Sequence, residues 1–295
     1  VRIGTRVAVV LAAVAGLVGG VAAPAGAVER VRPLAQAHAH NDYEHDRPLL
    51  DALAHGFTSV EADIYLVDGA LLVGHDPGDL RPDRTLESLY LEPLRKRVLA
   101  SGGQVYPDRP RLFQLLVDIK LNGAAVYAHL DKVLRSPRYG WLFSRYRHGS
   151  VVPGAVTVVI SGDRPREVMA GQRDRRAFYD GRLTSPGDLG PGADARLVPL
   201  VSDNWAKLFS WTGVGEMPDL ERVKLRELVH RVHAAGQRLR FWATPDMPGS
   251  AREAVWRELA AAGVDHLNTD DLEGLRAFLG RHPSAVTGWP TSHRR

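Results

Sequence analysis

The chain contains no cysteine among its 295 residues and only three methionines. Disulfides, thiolate nucleophiles and cysteine metal ligands are therefore excluded, and any metal must be held by carboxylates, imidazoles, carbonyls and water. Charge of one sign is also scarce in excess: 38 Lys and Arg stand against 34 Asp and Glu, a formal net charge of +4. No basic field is available to gather nucleic acid, so a nucleic-acid partner is not expected.

Long hydrophobic runs are missing too. The apolar stretch from Val7 to Val18 is shorter than the ~20 residues that a membrane-spanning helix needs. It follows Arg2 and Arg6 and leads to Pro24 and the small triplet Ala25-Gly26-Ala27, which is the order of a secretory signal peptide. The expectation is an exported protein cleaved near Ala27, monomeric and without a membrane span. Taking Arg2 and Arg6 from the 38 basic residues leaves an excess of two over the 34 acidic ones. Residues 28–282 are then one domain and residues 283–295 a loose tail.

What is present is a steady alternation of short apolar runs and amphipathic segments, punctuated by Gly and Pro, the pattern of a parallel sheet with crossover helices. Strands are expected at 34–38, 59–64, 112–119, 155–160, 177–179, 196–201, 238–243 and 265–267. Eight of them suit a closed (β/α)8 TIM barrel, and about 250 residues is an ordinary size for one. Helices are clearest at 219–235, 250–262 and 272–279, each stopped by a glycine. A short apolar run at 71–74 after Asp68-Gly69 reads as a hairpin extending the second strand.

The chemistry concentrates at the expected strand ends. Glu61 and Asp63 lie two apart on a strand and so share a face, and two buried carboxylates side by side are costly without a cation. A solvated strand face, or Arg and Lys partners, would satisfy them equally well. Asp118 and Lys120, again two apart, end an apolar strand where a barrel presents functional groups; a plain salt bridge is the alternative. Converging Glu61, Asp63 and Asp118 would make a hard-oxygen site for Mg²⁺ ahead of Ca²⁺, and Lys120 could hold a phosphate oxygen. His40, closing the first strand, and His75, following the hairpin, are the imidazoles placed to carry protons beside those acids.

Taken together, His40, the helix end Ala52-Leu53-Ala54-His55-Gly56, Glu61-Ala62-Asp63, Asp68-Gly69, His75-Asp76 and Asp118-Ile119-Lys120 resemble the phosphodiesterase barrels that include glycerophosphodiester phosphodiesterases, phosphatidylinositol phospholipases C and sphingomyelinases D. The resemblance implies a metal-dependent phosphoric diester hydrolase acting on a glycerophosphodiester or phospholipid. In it His40 and His75 serve as general acid and base, and Glu61, Asp63 and Asp118 hold the metal. Lys120, Trp242 and Asn41 are candidates for the substrate, as is Arg164 from its place at a strand end, with loop packing the favoured alternative for Arg164. The run His38-Ala-His-Asn-Asp-Tyr-Glu-His45, in place of the His-Arg-Gly of glycerophosphodiester phosphodiesterases, is more similar to the fungal altered-inheritance-of-mitochondria proteins. Two other readings stay open. His38-Ala39-His40 could open an amidohydrolase-type metal site, although the fifth and sixth strands contain no histidine to complete it. A barrel that only binds phosphodiesters or lipid head groups is the other. Trp205, Phe209 and Trp211 are a candidate apolar rim for a lipid surface, with core packing as the alternative.

Overall fold

Runs such as Val-Thr-Val-Val-Ile at 156–160 are buried along their whole length, as strands covered on both faces must be. Eight of these build the sheet: β1 (Leu34–Ala39), β2 (Phe57–Val67), β3 (Phe113–Ile119), β4 (Val156–Gly162), β5 (Ala177–Arg182), β6 (Leu200–Asn204), β7 (Arg238–Trp242) and β8 (Leu267–Thr269). The computed structural model describes residue 1 and residues 31–107 and 113–282. The expected signal peptide and tail lie outside the described residues.

Neighbouring strands pair in parallel in the order β7-β6-β5-β4-β3-β2-β1-β8, and a parallel bridge from Arg240 to His266 joins the two ends. The sheet is thus a TIM barrel. Outward side chains such as Val60, Ala62, Leu115, Val117, Val158 and Phe241 pack beneath the helices in the main core. Inward-facing Leu116, Val159, Phe178 and Leu200 form a separate apolar layer inside. The helices are α1 (Leu50–Ala54), α2 (Glu92–Ala100), α3 (Gly123–Arg135), α4 (Arg166–Gly171), α5 (Trp205–Leu208), α6 (Asp219–Ala234), α7 (Ser250–Ala262) and α8 (Leu272–Arg281). The last begins where the Asp271 side chain accepts from the Gly274 N–H at 2.9 Å, satisfying one of the orphan donors of a helix start.

The middle of the chain, hard to read in sequence, holds a small antiparallel ribbon of Arg145–Arg147, Ser150–Val152 and Asp174–Arg175. Tyr146 and Val151 pack against the inner apolar layer. Because these segments lead into β4 and β5, the ribbon covers the N-terminal end of the barrel, leaving the C-terminal end for chemistry.

The second and fifth strands run longer than expected, to Val67 and Arg182, and two others begin later. The sixth begins at Leu200 rather than 196, because the Asp194 side chain accepts from the Arg196 N–H at 2.8 Å and turns the chain, and Pro199 has no N–H to give a ladder. The eighth runs Leu267–Thr269 rather than 265–267, since the Asp265 carboxylate accepts from the Leu239 N–H and from His233 instead. The hairpin strand Ala70–Val73 pairs with β2 as expected.

Candidate active site

β2 and β3 pair with Asp63 opposite Asp118, so the two carboxylates emerge side by side, and strand alternation puts Glu61 on the same face. One oxygen from each of Glu61, Asp63 and Asp118 lies within 4.8 Å of the others. The three acids named from sequence therefore converge.

Each has a different electrostatic setting. Glu61 accepts from Arg240 at 2.7 Å, and the His38 Nε2 lies 3.4 Å away. Burial works against its charge, but Arg240 and His38 prevail and hold it far below the usual carboxylate range. Asp63 receives the Lys120 ammonium at 2.6 Å and the Tyr43 hydroxyl at 2.7 Å on Oδ2. Its pKa is pushed up to about 6, first by burial, then by the charges of Glu61 and Asp118, with Lys120 opposing. Lys120 also reaches Asp118 at 3.2 Å. Both bland alternatives are thus partly realised: Arg240 and Lys120 do pair with the acids. They do not exhaust them, since Asp63 Oδ1 is buried with no hydrogen-bond partner among the described residues. A buried carboxylate oxygen left unpartnered on one of three converging acids fits a hard divalent cation, which Glu61, Asp63 and Asp118 would hold.

His40 stands one residue past β1, fixed by its N–H to the Thr269 carbonyl at 3.0 Å. Its Nδ1 meets Asp270 Oδ1 at 2.7 Å. Burial alone would lower its pKa, but the Asp270 hydrogen bond and the Glu61 charge outweigh it and raise it above the ordinary histidine value. Asp270 is itself oriented by Asp246, whose carboxylate accepts from the Asp270 N–H at 2.7 Å and from the Thr269 hydroxyl at 2.7 Å. His38 does not join His40 as a chelating pair. Its Nδ1 contacts Ser59 at 2.7 Å, it is fully buried, and burial followed by Arg240 pushes its pKa down to about 3.

His75 is delivered by the hairpin to the same end of β2, where the neighbouring Gly74 N–H bonds the Asp63 carbonyl at 3.2 Å. Its ring is half-exposed and contacts Asp76 at 3.2 Å rather than the acids. Asn41 has a left-handed backbone and accepts the Tyr43 hydroxyl at 2.9 Å. Trp242 is half-buried at the end of β7, opposite Asn204. Arg164 takes the loop-packing alternative in this structure: its three guanidine nitrogens donate to the carbonyls of Gly162 and Asp180 and to Asp188, over the Tyr179 ring. It braces the loops after β4 and β5 rather than presenting itself to a substrate. Of the two readings of Trp205, Phe209 and Trp211, core packing holds, because all three are buried; Trp205 stacks on Phe209 at 4.0 Å and both meet Phe241 edge-on. They are core.

Sequence reasoning missed Tyr43, Arg240 and the cluster of Arg182, Asp180, Ser161 and Ser202 inside the barrel. Arg240 carried a signal, since it shares strand parity with Trp242 and so had to face inward. Gly162 was missed as well. It has φ +70°, and a Cβ there would come within 2.3 Å of the Ile119 carbonyl and 2.6 Å of Asp118 Oδ1. Gly162→Ala is expected to cost about 1–3 kcal/mol by strain and overpacking and to displace Asp118; urea denaturation beside metal titration checks both. Unchanged metal affinity would count against a ligand role for Asp118.

A family model described as an AIM6-like phosphodiesterase domain matches residues 27–180, and one described as the glycerophosphoryl diester phosphodiesterase family matches residues 238–273. The first span holds His40, Glu61, Asp63, His75, Asp118 and Lys120, the second Arg240, Trp242 and Asp270. The altered inheritance of mitochondria protein 6 homolog of Arthroderma benhamiae is 32% identical over 82% of this chain and 83% of its own. The protein of that name from Eremothecium gossypii is 32% identical over 88% of this chain and 73% of its own. Among solved structures, a glycerophosphoryl diester phosphodiesterase from Parabacteroides distasonis shares the fold, with a TM-score of 0.52 at 13% identity over 89% of this chain and 90% of that one. With its barrel, its converging acids and these relatives, the chain belongs to the AIM6-like phosphodiesterase domain family.

Proposed function

We propose that this protein is a metal-dependent phosphoric diester hydrolase acting on a glycerophosphodiester or phospholipid, and that it is exported, on the strength of the basic, apolar and small-residue order of residues 1–27. The observation that carries the catalytic reading is the convergence of Glu61, Asp63 and Asp118 within 4.8 Å at the C-terminal end of the barrel, beside an imidazole backed by a carboxylate. A divalent cation bound by those acids would supply Lewis-acid stabilisation of a phosphate oxygen.

The chain's own groups do the rest. Lys120, held between Asp63 and Asp118, offers a second positive charge to the phosphate. Asp270 keeps the His40 Nδ1 engaged, leaving Nε2 to exchange a proton with the attacking or leaving oxygen. His75, half-exposed on the hairpin arm, is the second proton carrier.

The test is hydrolysis of bis(p-nitrophenyl) phosphate by chelator-treated protein with Mg²⁺ or Ca²⁺ restored, beside Asp118→Asn. Activity that returns with metal, and a variant needing about ten to a hundredfold more metal, is the expected result. Activity indifferent to chelation and to Asp118→Asn would sink the metal assignment. Metal binding at the three acids without turnover of any phosphodiester would favour the binding-only barrel.

A further inference from the structure

An open groove of about 720 Å³ runs between the β2 hairpin arm and the start of α3. Its walls are mostly apolar, including Tyr65, Val67, Leu80, Leu121, Ala124 and Val126. Leu121 is 55% exposed and Val67 37%, so apolar surface on both walls is open to a ligand. The backbone there is tightly set: a Cβ on Gly123 would lie 2.3 Å from the Asp163 carbonyl, and Asp163 accepts from the Gly123 N–H at 2.8 Å. The first turn of α3 is thereby pressed against the loop after β4.

The groove adjoins the site through two residues of its wall. Leu121 directly follows Lys120, whose ammonium bridges Asp63 and Asp118. Tyr65, on the groove wall, donates its hydroxyl to the His75 carbonyl at 2.8 Å. A phosphodiester held at Lys120 would therefore direct one ester substituent along this surface. Trp205, Phe209 and Trp211 are buried in the core and offer no such surface.

We propose that the groove takes a single alkyl or acyl chain attached to the scissile phosphodiester, making the substrate an amphiphile rather than a small polar diester. This rests on the phosphodiesterase reading above and names its substrate class. Complete burial of a methylene is worth about 0.8 kcal/mol, so with one side open to water each added pair of methylenes should raise kcat/KM about fourfold.

The experiment uses the metal-restored protein and a series of alkyl p-nitrophenyl phosphodiesters from methyl to octyl, kept below their micelle concentrations. Ala124→Trp, at an exposed position on the groove wall, is expected to cut the octyl-to-methyl rate ratio at least to a third. Val223→Trp, exposed on α6, controls for surface tryptophan and should keep the wild-type ratio. A ratio near one in the wild type, or an unchanged ratio in Ala124→Trp, overturns the proposal. Calorimetry of the same esters on His40→Ala separates the two readings. Binding that tightens with chain length, without turnover in the wild type, retires the hydrolase but keeps the groove. Turnover with binding indifferent to chain length keeps the hydrolase and retires the groove.

Discussion

Arg240→Met is expected to destabilise the metal-free protein by about 3–5 kcal/mol, the cost of leaving a buried charge without its partner. The guanidinium is 2% exposed, donates to Glu61 at 2.7 Å and holds Asn268 at 2.8 Å. Without it the one other hydrogen-bond partner of Glu61 among the described residues is the His38 ring at 3.4 Å. Glu61→Gln in the same chain should recover much of the loss, since the uncompensated charge goes too. A divalent cation should recover part of it by another route. At a hundred times its dissociation constant, a ligand that binds only the folded state adds about 2.7 kcal/mol, and in Arg240→Met it also supplies the missing positive charge. Urea denaturation with chelator and with saturating Mg²⁺ gives the four numbers needed. If Mg²⁺ stabilises the wild type yet rescues Arg240→Met no better, Glu61 is a salt-bridge partner and not a ligand.

The same pair of residues shows what could be read from sequence. Glu61 and Asp63 declared themselves because a period of two on a buried run places both on one face, and Asp118 because it ends an apolar strand; the barrel's register then set Asp63 opposite Asp118. Such information is local and survives folding. Arg240 was harder because its partner lies 179 positions away, and only closure of the barrel brings β7 within reach of β2. Tyr43 had no signal at all. Its hydroxyl reaches Asp63 through a loop in which Asn41 and Leu49 take positive φ, conformations that L residues adopt at a cost and that no periodicity announces. Arg164 was ambiguous for a related reason: a lone arginine after a strand looks free, and its acid, Asp188, arrives from a loop 24 residues later. The sixth strand was misplaced because an apolar run does not reveal that Asp194 and Pro199 hold its first residues in a turn.

The histidine assignments can be separated from the acids by a second pair of variants. His40→Ala should lower kcat/KM on a phosphodiester by about 10²–10⁴, the usual worth of a positioned proton carrier, with metal affinity unchanged. Asp270→Asn should do something different. Burial already acts to lower the His40 pKa, and Asp270 is the hydrogen-bond partner that reverses it. Removing that carboxylate shifts the His40 pKa downward. Whichever limb of the pH–rate profile belongs to His40 therefore moves to lower pH, whether it serves as base or as acid. The stability sign follows from the same shift. Because folding raises the pKa, the pair's contribution is fully present below about pH 6.5 and fades as pH rises through the folded value. Asp270→Asn should accordingly lose stability at acid pH more than at alkaline pH. A loss of rate with an unmoved profile would make Asp270 a packing residue and shift attention to His75, whose Asp76 contact lies in open solvent. A displaced profile in Asp270→Asn, beside near-complete loss in His40→Ala, would fix the proton path at the end of β1, where Asp246 holds the Asp270 backbone in place.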